Sequence, residues 1–172
     1  SNSVQFNPPL PTSKLEAING LGAGKVHKVI VQFDVPILPI ELTSMVTTGR
    51  SQLFWRPGIG DKLKRNVWTA FITGAETAKH SQMTDNEIIA IALEDLSAFS
   101  DYTVDKLKKI FNKGLVVRWS EDEFSQMAYS YVPVGGAGLR AKLAKPIANT
   151  LFFAGEATST AHPATVHGAY ES

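Results

Sequence analysis

Residues 151–172 read LFFAGEATSTAHPATVHGAYES, and the architecture of the chain is worked out from this stretch. An apolar run, Leu151-Phe152-Phe153-Ala154, enters a loop at Gly155-Glu156, and Pro163 then opens a helix-compatible run from Ala164 to Tyr170. Strand, loop and helix are the elements expected. Proline suits a first helical turn, because the N–H it lacks is one that the helix cannot use. The amides around Ala164 to Val166 would then leave the helix start with partial positive charge, a platform for an anion or an electron-rich ring edge. Spacing alone favours the plainer reading, a buried edge strand followed by a surface helix.

The rest of the composition narrows the classes. With 172 residues, 44% hydrophobic and 19% charged, the chain can bury one real core or two small ones and is not a disordered tail. A formal net charge of +1 with no basic stripe gives no electrostatic case for nucleic acid or an anionic membrane. Absence of cysteine excludes a disulfide frame, a thiolate nucleophile and a Cys-type zinc site, and leaves the redox compartment and localisation open. No apolar run approaches the ~20 residues of a membrane helix, and no signal peptide is read.

Upstream, Phe6-Asn7-Pro8-Pro9-Leu10-Pro11 is extended, so helix begins only after it, with Thr12 or Ser13 as cap and Gly20 as a left-handed stop. Gly20-Leu21-Gly22-Ala23-Gly24 looks like a dinucleotide fingerprint, but it follows a helix and precedes a strand, the reverse of what that fingerprint needs. It is read as a helix stop and turn. From His27 to Phe33 residues alternate, with His27, Val29, Val31 and Phe33 toward a core and Lys28 on the other face. Thr43 to Phe54 holds one or two irregular strands, Gly58 to Arg65 a basic loop, and Asn66 to Thr73 another strand.

Two helices carry start signals. Thr84 and Glu87 have capping-box spacing ahead of Ile88, Ile89, Ile91, Leu93, Leu96 and Phe99. A second helix from Thr103 puts Val104, Leu107, Ile110 and Phe111 on one stripe, with Asp105 early and Lys108-Lys109 late, as the macrodipole prefers. Leu115 to Trp119 and Met127 to Val132 read as strands, Pro133 to Gly138 as a glycine-rich turn, and Leu139 to Ala144 as a short helix. No chemistry stands out by motif. His162 and His167 are five apart, off the helical ligand spacing, so no metal site is expected, and a serine-hydrolase elbow is missing.

The closing stretch, with AGEATS at 154–159 and HPATVHGAY at 162–170, closely resembles the C-terminal FAD-binding signature of the flavin-containing amine oxidases. That group comprises polyamine oxidases, monoamine oxidases and lysine-specific histone demethylases. VQFNPPLPTSKLEAINGLGAGKVHKVIVQF at 4–33 is similar to the family's mid-chain segment, and RWSEDEFSQMAYSYVPVGG at 118–136 to its tryptophan-to-SYSY segment. Three motifs in the family's order make the likeness specific.

The resemblance implies a mixed α/β and α+β architecture, the C-terminal part of a two-domain FAD-dependent fold. Residues 1–24 and 138–172 would belong to the FAD-binding domain and 25–137 to the substrate-binding domain. The dinucleotide-binding half, with its true GxGxxG, would lie in an N-terminal part outside this chain, which alone should bind FAD poorly. Residue by residue, Lys28 matches the family lysine that holds a water near the flavin's reactive nitrogen. Trp55 and Tyr129 match positions lining the amine site, where aromatic faces attract an alkylammonium. Trp119 matches the tryptophan at the flavin rim, and Gly155, Glu156, Thr165 and Val166 match cofactor-contacting positions.

The implied activity is oxidation of an amine, a polyamine or an N-alkylated amine, with hydride passing to FAD and dioxygen leaving as hydrogen peroxide. Histone demethylase and polyamine oxidase are both open, and L-amino-acid oxidase lacks a clear carboxylate-binding arginine. The competing class is a catalytically inactive binding module on the same fold, for peptide or partner recognition, motivated by the missing fingerprint.

Overall fold

A computed structural model describes residues 4–58 and 66–172, so residues 59–65 of the expected basic loop lie outside the described residues. The chain forms two compact units. One is contiguous, Lys25–Gln126; the other joins the N-terminal segment up to Gly24 with Met127–Ser172. No helix among the described residues is long and apolar enough to cross a membrane.

The contiguous unit is built on a five-stranded antiparallel sheet of β2 (Val26–Phe33), β3 (Ser44–Val46), β4 (Leu53–Trp55), β5 (Val67–Thr73) and β6 (Phe111–Arg118). Its order is β3-β4-β5-β2-β6. β2 shows why a period of two matters. His27, Val29, Val31 and Phe33 are buried while Lys28, Ile30 and Gln32 are half-buried, so one face makes the core and the other stays open. Trp68, Ala70 and Ile72 of β5 and Phe54 of β4 extend the buried face.

Helices cover that face. α2 (Ala75–His80), a single short turn-helix after Gly74 that the sequence does not announce, precedes α3 (Asp85–Ser97). The capping box of α3 is complete: Thr84 Oγ1 accepts from the Glu87 N–H at 3.3 Å and the Glu87 carboxylate accepts from the Thr84 N–H at 2.7 Å. Ile88, Leu93 and Leu96 bring its apolar stripe onto Val29, Val31, Phe54 and Trp68. α4 (Val104–Ile110) is capped by Thr103 and turns straight into β6, so Phe111 is strand, not the last residue of a helical stripe. The Asp34 N–H donating to the Ile110 carbonyl at 2.9 Å pins that corner to β2.

The discontinuous unit holds α1 (Thr12–Gly20), β1 (Gly22–Gly24), β7 (Tyr129–Tyr131), α5 (Leu139–Ala144), a 3-10 turn (Glu156–Thr158) and α6 (Val166–Glu171). α1 starts behind Pro11 without a side-chain cap, and it ends on Gly20 with Leu21 extended, not left-handed. Lys14, in the first turn of α1, serves the other helix instead: its ammonium donates to the Leu143 carbonyl at the end of α5. The glycine-rich run is a strand and not a plain turn: Gly22, Ala23 and Gly24 pair antiparallel with Tyr131, Ser130 and Tyr129. A side chain at Gly22 would collide with the Tyr131 ring, so glycine here serves close approach against its own poor strand propensity.

Two expectations for the closing stretch change. Leu151–Ala154 is not a paired strand among the described residues but touches Ile147 through a single bridge at Leu151. α6 begins at Val166 and not behind Pro163, because Ala164 takes a positive φ of 61° and Thr165 becomes the cap, its hydroxyl accepting from the Gly168 N–H at 3.0 Å.

Candidate active site

In the contiguous unit the open face of the sheet gathers the chemistry. Lys28 on β2 pairs with Phe71 on β5 and with Val117 on β6. Phe71 in turn pairs with Leu53, two residues before Trp55 on β4. The Lys28 Nζ stands 5.6 Å from the centroid of the Trp55 ring, within cation–π reach, and the Phe71 ring packs on Trp55 at 5.8 Å and a 58° tilt. Lys28 and Trp55, 27 positions apart only in sequence terms, are therefore neighbours by strand register. Trp119 follows directly on β6 and is 39% exposed.

Beside this aromatic wall the arginine of Leu53-Phe54-Trp55-Arg56 is structural. Arg56 is buried, donates to the carbonyls of Ile40 at 2.6 Å and Pro39 at 3.2 Å, and lies 4.7 Å over the Trp68 ring. It ties the proline-containing segment to the strand and leaves the open face to Trp55.

The discontinuous unit arranges its expected site residues around Glu156. The Glu156 carboxylate accepts from the Ser130 N–H at 2.8 Å, from the Ser130 hydroxyl at 2.9 Å and from the Ala164 N–H at 2.8 Å. Arg140, buried beside it, donates to the Ser130 hydroxyl at 2.5 Å, the Ser130 carbonyl at 3.1 Å and the Ala157 carbonyl at 3.2 Å. One carboxylate and one guanidinium thus fasten β7, the 3-10 turn and the entry to α6 to each other. Tyr129 precedes Ser130 on β7, so it hangs from the same clasp.

The amide platform at the helix start is narrower than its sequence suggests. The Ala164 N–H is taken by Glu156 and the Gly168 N–H by Thr165, which leaves the amides of Thr165, Val166 and His167 without a partner among the described residues. Val166 itself is exposed.

Sequence reasoning misses three of these residues. Phe71 is detectable only once β5 is registered against β2, while Arg140 and Ser130 lie in segments whose patterns announce only a short helix and a strand. The signal for Phe71 is its alternation with the buried Ala70 and Ile72, which puts it on the face of Lys28.

A flavin group fits this donor set as a partial wall. Gly155 has a φ of +132° and nothing within 4 Å of where a Cβ would stand, so its Cα side is open to a flat group, while its N–H donates to the Ser172 hydroxyl at 2.7 Å and its carbonyl accepts from Thr158. A cleft of about 470 Å³ adjoins it, lined by Phe152, Ala154, Thr158, Ser159, Thr160 and Glu171 among others.

Comparison with known proteins supplies the frame for these features. The chain is 35% identical to Lysine-specific histone demethylase 2 of Homo sapiens over 99% of its own length and 21% of that protein's. It is 37% identical to Histone demethylase-like protein A of Aspergillus fumigatus, over 99% of this chain and 17% of that one. With Polyamine oxidase 4 of Oryza sativa subsp. japonica it shares 30% identity, over all of this chain and 34% of the relative. The chain spans between about a tenth and a quarter of the length of the histone demethylases it matches. The sequence profile of the flavin containing amine oxidoreductases, whose standard cofactor is FAD, matches residues 1–172, and the chain belongs to that family.

Proposed function

We propose that the protein of which this chain is part oxidises the carbon–nitrogen bond of an alkylamine, a polyamine or an N-alkylated amine. The observation that carries the reading is the open sheet face, where a lysine ammonium and two aromatic rings meet in a member of a flavin-containing family. The relatives named above include both lysine-specific histone demethylases and a polyamine oxidase, and the alkylamine is the chemistry common to both. When bound, FAD accepts a hydride from the carbon beside nitrogen and passes its electrons to dioxygen, giving hydrogen peroxide.

This chain's residues do the rest. Trp55 in one unit, and Tyr129 in the other, each offer the amine an aromatic face of the kind that packs on an alkyl part and attracts a cation. Lys28 holds a water at the reacting end of the site and supplies positive charge where dioxygen is reduced. Gly155 offers an open Cα side, Val166 a helix-start amide, and Thr165 and Glu156 keep those groups in place, while Trp119 serves the rim. Residues 1–24 and 138–172 serve the FAD-binding domain of a two-domain fold and 25–137 the substrate-binding domain.

The test is anaerobic mixing of the complete, FAD-loaded protein with a polyamine and, separately, with a peptide bearing an N-methylated lysine. Bleaching of the oxidised-flavin absorbance by either supports the reading, and Lys28→Met should slow reduction or reoxidation by at least about tenfold. A complete protein that carries no FAD, or that no amine bleaches, would instead favour a binding module.

A further inference from the structure

Phe71 spends a large aromatic side chain on the open face of the sheet, where it does not fill the core. Its neighbours in sequence, Ala70 and Ile72, are fully buried on the other face, while Phe71 is only half-buried. It is also the shared neighbour of the two residues to which the proposed reaction is assigned on this unit. Across one strand boundary it pairs with Lys28, and across the other with Leu53, beside Trp55. Its ring packs on the indole at 5.8 Å, and the Lys28 ammonium stands 5.6 Å from that same indole. Phe71 thus stands between Lys28 and Leu53 in the register and packs on the indole that the ammonium faces.

The consequences follow from side-chain freedom. Lysine carries four rotatable bonds on a half-open face, and its placement over a ring depends on what flanks its stem. An indole at the end of a three-residue strand keeps its tilt through the ring packed against it, an interaction that directs geometry as well as adding affinity. Remove Phe71 and both lose their common wall, although no core residue is touched.

We propose that Phe71 is a positioning residue of the amine site, holding Trp55 in the orientation that receives the amine and Lys28 in the place where it acts. The inference rests on the reading of Lys28 and Trp55 given above, and the two are separable by experiment. The single variants Lys28→Met and Trp55→Ala test that reading. Phe71→Ala, made in the wild-type, Lys28→Met and Trp55→Ala backgrounds of the complete FAD-loaded protein, tests the inference.

In the wild-type background Phe71→Ala should weaken the apparent amine affinity about fivefold, the range expected of an aromatic pair, and slow reoxidation by dioxygen by a similar factor. In the Trp55→Ala background it should leave amine affinity unchanged, and in the Lys28→Met background it should leave reoxidation unchanged. Near-ultraviolet circular dichroism gives a readout apart from activity: the band lost in Trp55→Ala should also be lost in Phe71→Ala and kept in Phe71→Tyr. Additive losses in either double variant, or an indole band that survives Phe71→Ala, would overturn the proposal. Should Phe71→Ala not fold, the same cycles made with Phe71→Leu decide between the two outcomes.

Discussion

The ammonium of Lys14 donates a 2.6 Å hydrogen bond to the carbonyl of Leu143, joining the first helix of the chain to the end of α5. Two further carbonyls, of Lys145 at 2.5 Å and Lys142 at 3.1 Å, take its other donors. Lys14 is buried, and its ammonium nitrogen lies 4.6 Å from the centroid of the Phe153 ring. Burial pushes its pKa down, while three carbonyls at a helix C-terminus favour the charged form. Lys14→Met should leave those acceptors unsatisfied, at a local cost of about 1–3 kcal/mol. Amide exchange over Leu139–Ala144 in the complete protein reads it directly, and Lys14→Arg should not restore protection, since a planar fork cannot address three carbonyls as a tripod does.

His27 and His80 form a second buried contact, with ring centroids 6.3 Å apart and both side chains 1% exposed. Burial lowers both pKa values below the usual imidazole value of 6.5. Glu121, 3.7 Å from His27, and Glu76 near His80 work against that shift, and Arg118, Lys25, Arg50 and Lys79 work with it. A depressed folded-state pKa means that below pH 6.5 the unfolded chain binds protons that the folded chain refuses. Stability is therefore full above 6.5 and falls as pH drops from there toward the folded-state values, by up to about 1.4 kcal/mol per pH unit for each ring. Denaturant titrations between pH 7.5 and 5 should show this acid limb, and His80→Leu should flatten it.

At Gly168 a Cβ would run into the carbonyl oxygen of His162. Gly168→Ala therefore cannot keep the turn that Thr165 caps, where the Thr165 hydroxyl also donates to that carbonyl at 2.7 Å. The expected cost is about 1–3 kcal/mol from overpacking, with flavin content of the complete protein falling in parallel. Thermal melting followed by the flavin-to-protein absorbance ratio checks both.

What the sequence makes legible here is what is local. Thr84 and Glu87 announce α3 because a capping box is settled within four residues, and alternation from His27 to Phe33 sorts core from open face without knowledge of any partner strand. β1 escapes because its two glycines argue against strand while its pairing partner, Tyr129–Tyr131, is remote in sequence. α6 starts late because the deciding interaction, Glu156 accepting from Ala164, belongs to tertiary structure. The same holds for the candidate site. Lys28 and Trp55 are each visible from family resemblance, but their meeting depends on β5 lying between their strands, so Phe71 has no signature before the register is known.

The split of one unit around the other has a consequence for the order of synthesis. Lys25–Gln126 can complete its sheet from its own residues as they emerge from the ribosome, whereas Gly22–Gly24 waits unpaired until Tyr129–Tyr131 has been made. Lys14 likewise waits for the carbonyls of α5. The strand that carries Lys28 and the helix that carries Lys14 thus mature at different moments of translation, and slowing elongation within the β6-to-β7 stretch should extend the lifetime of a nascent chain whose sheet is folded and whose first helix is not.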